Sequence, residues 1–389
     1  MRRVLLLAWR YIAHNKAKSA VLVACITITT ILPITIHTLV RLYNAELVAR
    51  AETTPLIVGA KGNRYDLCLK SLYFRAEEPE THAYHEVRKL LDSGLCSPMP
   101  LHLKYTARTF PVVGTSPEYF AFRGLRLASG ALPVFLGEAV IGNEVAERLA
   151  LGAGDKIMSD QVNLYDLSQT YPLKMMITGV LERADTPDDS AVFIDVKTAW
   201  VIDGNIHGHS DVTKNAPKTA ILEKTDTNVS VDSSIIEYNE ITPENLASFH
   251  AHGDPEDFEI TSVLVVPDGK KPATLLKGRY KVSKDRQMIV PLAVIGELMG
   301  IVFKVEMFFR ANQAVVLVST ILFLGLVVVL SLRLRRREMQ TMFRIGCSRM
   351  TIFWVQAAEL GIILLMSVAL AGAFSAGLIL LAPELVSVL

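Results

Sequence analysis

The sequence predicts an α-helical membrane part joined to a large extracytoplasmic α+β domain, and three observations predict it. Three runs of the 389-residue chain lack Lys, Arg, Asp and Glu: 21 residues in 20–40, 22 in 311–332 and 23 in 360–382. Each is long enough to cross a hydrocarbon core of about 30 Å as a helix. Between the second and third runs, Arg333 to Arg349 holds six Arg and one Glu in 17 residues, a stretch that cannot lie in hydrocarbon. The segment 41–310, 270 residues, mixes strand and helix patterns and is ample for a buried core and two subdomains.

Basic residues set the orientation. Residues 1–19 contain Arg2, Arg3, Arg10, Lys16 and Lys18 with no acid, and the 333–359 loop is the other basic cluster. Cytoplasmic loops carry such excesses. The N-terminus and that loop are therefore expected in the cytoplasm, 41–310 outside, and the 383–389 tail outside. The first run reads as a span rather than a signal peptide, because it is too long and Val40-Arg41-Leu42-Tyr43 offers no small-residue cleavage site.

Within 1–19, Leu5, Ala8, Trp9 and Ile12 recur at helical spacing, which predicts an amphipathic cytoplasmic helix lying in the interface with its Trp at headgroup level. Pro33 is expected to kink the first span, with Thr29 and Thr30 hydroxyls serving the freed carbonyl. Outside, 55–62 reads as a strand into a glycine turn, 80–93 as a helix, and 110–114, 175–181 and 262–267 as strands. Residues 138–156 read as strand, helix and turn, with Asn143 as N-cap, Glu144 and Arg148 as an i,i+4 pair, and Gly152 ending the helix. A stalk helix is expected over about 286–310, running into the second span, and 203–232 is the expected mobile loop.

Catalytic motifs are missing. No Gly-x-x-x-x-Gly-Lys-Ser/Thr, Gly-x-Ser-x-Gly, His-Glu-x-x-His or Cys-x-x-Cys occurs, and Gly59-Ala-Lys-Gly62 is too short to cradle phosphates. With a net charge of +1, nucleic acid is not an expected partner. The spans contain no Lys, Arg, Asp or Glu of the kind that ion-coupled carriers bury. The energy source is therefore expected to be a partner subunit, gripped at the Arg-rich loop. Two features stay open. Cys68 and Cys96, the external cysteines, are either a disulfide or two buried thiols. His207, His209, His250 and His252 form two His-x-His pairs, weak metal-ligand candidates or plain exposed loop residues.

The order of segments resembles the MacB/FtsX-type permeases of ABC transporters. Arg336-Arg337-Glu338, then Phe343-Arg344-Ile345-Gly346-Cys347-Ser348-Arg349, then Glu359, is similar to that family's loop run, and Leu7-Ala8-Trp9-Arg10-Tyr11 with Asn15-Lys16 resembles its N-terminal segment. Externally, 55–62 with Ser71-Leu-Tyr73, 113–119 and 142–155 resemble a MacB-type periplasmic domain. The resemblance implies a non-catalytic transmembrane subunit whose coupling helix docks on a separate ATP-binding subunit. Arg336, Arg337, Glu338, Met342, Phe343, Arg344, Ile345 and Gly346 would make or shape that contact. It implies no cofactor on this chain, with ATP and Mg²⁺ on the partner; a second permease copy, membrane lipid and a periplasmic or lipoprotein partner; the bacterial inner membrane; and a hydrophobic or lipoprotein-like cargo. The alternatives are an FtsX-like regulator of an external enzyme and a component of a zinc-linked ABC system. Family members carry a fourth span, whereas seven residues follow the third here. The expectation is a three-span chain, or a fourth span encoded separately or removed.

Overall fold

The computed structural model describes residues 2–75, 80–160, 172–208, 221–224, 229–231, 238–334 and 336–388. It divides into two compact units, Met1–Leu47 with Glu297–Leu389, and Val48–Gly296. The described helices are α1 (Arg2–His14), α2 (Lys16–Glu52), α3 (Arg64–Tyr73), α4 (His85–Asp92), α5 (Glu118–Arg123), α6 (Asn143–Leu149), α7 (Val196–Ile202), α8 (Lys270–Lys281), α9 (Pro291–Leu334), α10 (Arg336–Arg344) and α11 (Arg349–Val388). The strands are β1 (Leu56–Ala60), β2 (His82–Ala83), β3 (Cys96–His102), β4 (Thr106–Ala107), β5 (Phe110–Thr115), β6 (Leu127–Gly130), β7 (Glu138–Ile141), β8 (Lys156–Met158), β9 (Lys174–Leu181), β10 (Val192–Asp195), β11 (Ile206–Gly208), β12 (Ile221–Lys224), β13 (Val229–Val231), β14 (Phe249–Ala251), β15 (Glu259–Ile260), β16 (Ser262–Pro267) and β17 (Arg286–Ile289).

In the second unit, eleven strands form one mixed sheet in the order β17-β1-β16-β3-β5-β10-β7-β9-β6, with β4 on β5 and β8 on β9. Among the described strands of this sheet, the β10–β5 and β7–β9 pairs are parallel and the others antiparallel. Runs such as Leu56-Ile-Val-Gly-Ala60 and Ser262-Val-Leu-Val-Val266 are apolar without alternation because both faces of the sheet are covered there. One face packs Val58, Val263, Val192 and Ile141 against Trp200 of α7 and Phe258; the Trp200 indole N–H donates to the Glu259 carbonyl at 3.0 Å. β1, which follows α2, pairs directly with β17, which precedes α9, setting Ile57 opposite Ile289.

Several expectations need correction. The expected helix from Arg286 starts at Pro291 instead, because Arg286–Ile289 completes the sheet edge and Pro then takes the first helical position, where no N–H is needed. Helix 80–93 is shorter, beginning at His85 after the strand β2. Gly142, not Asn143, caps α6, and Ala150 ends it with a left-handed φ of 52°, two residues before Gly152; the Glu144–Arg148 pair forms at 3.1 Å. Cys68 and Cys96 are both free and buried. The Cys96 thiol donates to the Leu90 carbonyl at 3.7 Å, and burial pushes the Cys68 thiol up to about 12, leaving it an inert packing group. Much of 203–232 lies outside the described residues, although Ile206–Gly208 is a strand.

In the first unit α2 runs through Pro33 as one continuous helix. Thr29 and Thr30 hydroxyls donate to the Cys25 and Ile26 carbonyls at 2.7 Å. The α1 face also differs from expectation: Ala8 and Ile12 are buried, whereas Leu5 and Trp9 stay exposed. The buried pair turns inward because α1 packs along α11, where Ile12, Leu22 and Ile363 form a small core. α11 offers a stripe at four-residue spacing: Val355, Glu359, Ile363, Ser367, Ala371 and Ser375, all buried. Small and hydroxylated residues let helices approach closely, and the Thr27 hydroxyl donates to the Ser367 carbonyl at 3.4 Å. Two helical segments, Lys16–Glu52 and Arg349–Gly377, are long and apolar enough to cross a membrane. The second apolar run, 311–332, lies in α9, with Val315, Val318, Leu322, Leu326 and Leu330 exposed.

Candidate functional site

The residues singled out in the basic loop come together as one short element. α10, Arg336–Arg344, is an amphipathic helix set between two long apolar helices. Arg336, Arg337, Phe343 and Arg344 are exposed and Met339 and Met342 half-buried. Glu338 is placed by its backbone as the third residue of α10. Ile345 follows at 77% exposure, an apolar side chain offered to whatever covers the loop.

The sequence Gly346-Cys347-Ser348 explains the sharp turn between α10 and α11. The Cys347 N–H donates to the Met342 carbonyl at 3.0 Å and the Gly346 N–H to the Phe343 carbonyl at 3.1 Å, a Schellman stop. It requires a left-handed residue, and Gly346 has φ of 99°. Ser348 then starts the next helix, its hydroxyl accepting from the Thr351 N–H at 3.1 Å. The Arg349 guanidinium lies 5.6 Å from the Phe343 ring centre and the Gln356 amide reaches the Met339 sulfur at 4.0 Å, so α10 is held against the start of α11. Glu359, one helical turn beyond Val355 on the buried stripe, stands 3.8 Å from the Lys18 ammonium. Stop, start and bracing together present a fixed basic and apolar knob suited to a groove on a partner.

Sequence reasoning missed a buried network in the second unit. Arg50, in the last turn of α2, donates to both Asp188 carboxylate oxygens at 2.6 and 2.9 Å and to the Tyr119 hydroxyl at 2.9 Å. Tyr119 in turn donates to Asp188 at 2.7 Å, and the Thr186 hydroxyl adds a bond at 3.0 Å. Burial by itself would raise the Asp188 carboxyl; the facing Arg50 and these hydrogen bonds overcome it and hold the group below the usual carboxylate range. Burial likewise opposes the Arg50 charge, yet Asp188 keeps the guanidinium more firmly protonated than usual. The end of α2 is thereby pinned inside the second unit. Nothing local in the sequence marks this pairing across 138 residues.

The histidine candidates divide. His207, His250 and His252 converge, their ligand atoms within 4.8 Å of one another, and His209 lies outside the described residues.

Residues 84–234 match the family described as MacB-like periplasmic core domain. No curated protein matches the sequence. Among solved structures, the periplasmic region of MacB from Actinobacillus actinomycetemcomitans is similar at 10% identity and a TM-score of 0.37, covering 65% of this chain and 97% of that one. The extracellular domain of the noncanonic ABC-type transporter YknZ from Gram-positive bacteria is similar at 12% identity and a TM-score of 0.33, covering 60% and 98%. Similarity at these TM-scores adds nothing to the family match.

Proposed function

We propose that this chain, whose residues 84–234 match a MacB-like periplasmic core domain, is a mechanotransmitting subunit of a MacB-type ABC transporter permease. Its α10 knob docks on a separate ATP-binding subunit, and motion driven there reaches the extracytoplasmic domain. One observation carries this reading: a nine-residue amphipathic basic helix, stopped by Gly346 and restarted by Ser348, between helices of 44 and 40 residues. The chain itself has no nucleotide-binding motif, so ATP and Mg²⁺ belong to the partner.

Transmission needs stiff connections, and the second unit supplies them. The pinned end of α2 at Arg50 and the pairing of β1 with β17 fasten both long helices to neighbouring strands of one sheet. In this proposal residues 41–310 face outside, the three apolar runs span the bilayer and two copies of the chain meet two ATPase subunits. The cargo class is hydrophobic or lipoprotein-like, gripped outside rather than passed between charge-free spans.

The test is co-expression of the full chain with its candidate ATP-binding subunit, followed by purification and an ATPase assay. The wild-type chain is expected to co-purify and to support hydrolysis. Replacing Glu338 and Arg344 together is expected to lose the complex or the activity. Normal assembly and activity in that double variant would remove the assignment.

A further inference from the structure

β11 and β14 are three-residue antiparallel strands that set His207 directly opposite His250. Such cross-strand neighbours share one face of the ribbon, and the two rings meet edge-on with centres 5.1 Å apart. His252, two residues beyond His250, returns to the same face by the alternation of a strand. Its ring stacks on His207 at 4.4 Å and 24°. Its backbone N–H donates to the Asn205 carbonyl at 2.9 Å, which ties the end of β14 to the start of β11. Gly208 makes the close pairing feasible, since a Cβ there would fall 2.6 Å from the Phe249 ring.

The nitrogen positions have the spacing of a ligand set. His250 Nε2 and His252 Nε2 are 3.1 Å apart. Two imidazoles bound tetrahedrally at 2.0–2.1 Å hold their nitrogens about 3.3 Å apart. His250 Nδ1 lies 3.0 Å from the Ser248 carbonyl, a group that only accepts, so Nδ1 carries the proton and Nε2 turns its lone pair to the cluster. A carbonyl behind the ligand nitrogen is the usual way a metal-binding imidazole is oriented. His250 and His252 are exposed, so an ion can reach them from solvent.

We propose that His207, His250 and His252 form a three-imidazole site for one divalent transition-metal ion, zinc foremost. All three donors are nitrogens, which suits zinc, copper(II) or nickel rather than calcium or magnesium. Three protein ligands leave a coordination position for water or for a group from another molecule. The ion would clip β11 to β14 and so close the long intervening segment, the kind of crosslink that limits loop entropy most. The site is independent of the coupling loop, and its test does not depend on an ATPase partner.

The test uses the full chain in detergent, carrying an affinity tag without histidine and stripped of metal with a chelator. Zinc chloride is titrated calorimetrically into wild type, into His207→Gln/His252→Gln and into His85→Gln as a control. One zinc per chain tighter than about 10 μM is expected for wild type and control, with at least a 100-fold loss in the double variant. Single His252→Gln, at an exposed position, is expected to weaken binding at least tenfold with unchanged metal-free melting. Absence of wild-type binding at 10 μM, or undiminished binding by the double variant or by single His252→Gln, overturns the site.

Discussion

Arg50 and Asp188 show 7% and 1% side-chain exposure, so each depends on the other for its charge. Removing one member of such a pair leaves the other buried and unpaired, at a cost of about 3–5 kcal/mol. Arg50→Met is expected to lower the denaturant stability of the external unit by about that amount, read from the unfolding midpoint of the full chain. Arg50→Lys is expected to recover only part, since an ammonium cannot reproduce the two-pronged contact. Acid acts in the same direction at two buried groups. Burial, helped by Arg286, lowers the His82 ring from its ordinary 6.5 to about 4. The unfolded chain therefore binds the proton first, so stability is whole above pH 6.5 and declines as pH falls toward 4, by at most about 1.4 kcal/mol per pH unit. Asp188, held below the usual carboxylate range, gives up its contribution only at lower pH still. His82→Gln is expected to flatten the melting curve between pH 6.5 and 4, and Arg50→Met to remove the drop below it. A wild-type melting temperature independent of pH between 6.5 and 4 would contradict the buried-histidine account.

At the scale of single elements, the loop and the stripe on α11 make separable claims. A side chain at Gly346 would meet no neighbour within 4 Å, so Gly346→Ala costs only the left-handed backbone, about 1 kcal/mol. That predicts about a fivefold weaker hold on the ATP-binding subunit, measurable by surface binding of the purified chain. Ala371 is 1% exposed and Phe374 61% exposed on the same helix. Ala371→Phe is expected to cost about 1–3 kcal/mol by overpacking and lower the melting temperature in detergent, while Phe374→Ala leaves it unchanged. Strands such as Leu56–Ala60 and Ser262–Pro267 were legible because their runs of β-branched and apolar residues end at turn signals. The start of α9 was not, since Arg-Gln-Met-Ile carries no period that distinguishes a strand edge from a first helical turn. The buried face of α11 was equally hidden: a helix apolar all round gives no moment, and here small residues rather than large ones mark the contact. The turn between α10 and α11 carries local signals, Gly after an amphipathic turn and Ser before the next helix. The three-histidine cluster needed the pairing of strands more than forty residues apart, and the sequence shows only the two His-x-His pairs.

For the whole molecule, the central claim is that α10 couples this chain to an ATPase and that its motion reaches the external unit. Two architectural features favour it: a MacB-like domain over residues 84–234 and the end of α2 held at Asp188 within that span. The most direct measurement is ATP hydrolysis by the purified complex of the full chain with its ATP-binding subunit. Wild type is compared with the Glu338 and Arg344 double variant and with Arg50→Met. The account predicts that the loop variant loses the complex or its hydrolysis. Arg50→Met should keep the complex and hydrolyse ATP while losing the activity exerted outside. A loop variant that assembles and hydrolyses as wild type does would contradict it.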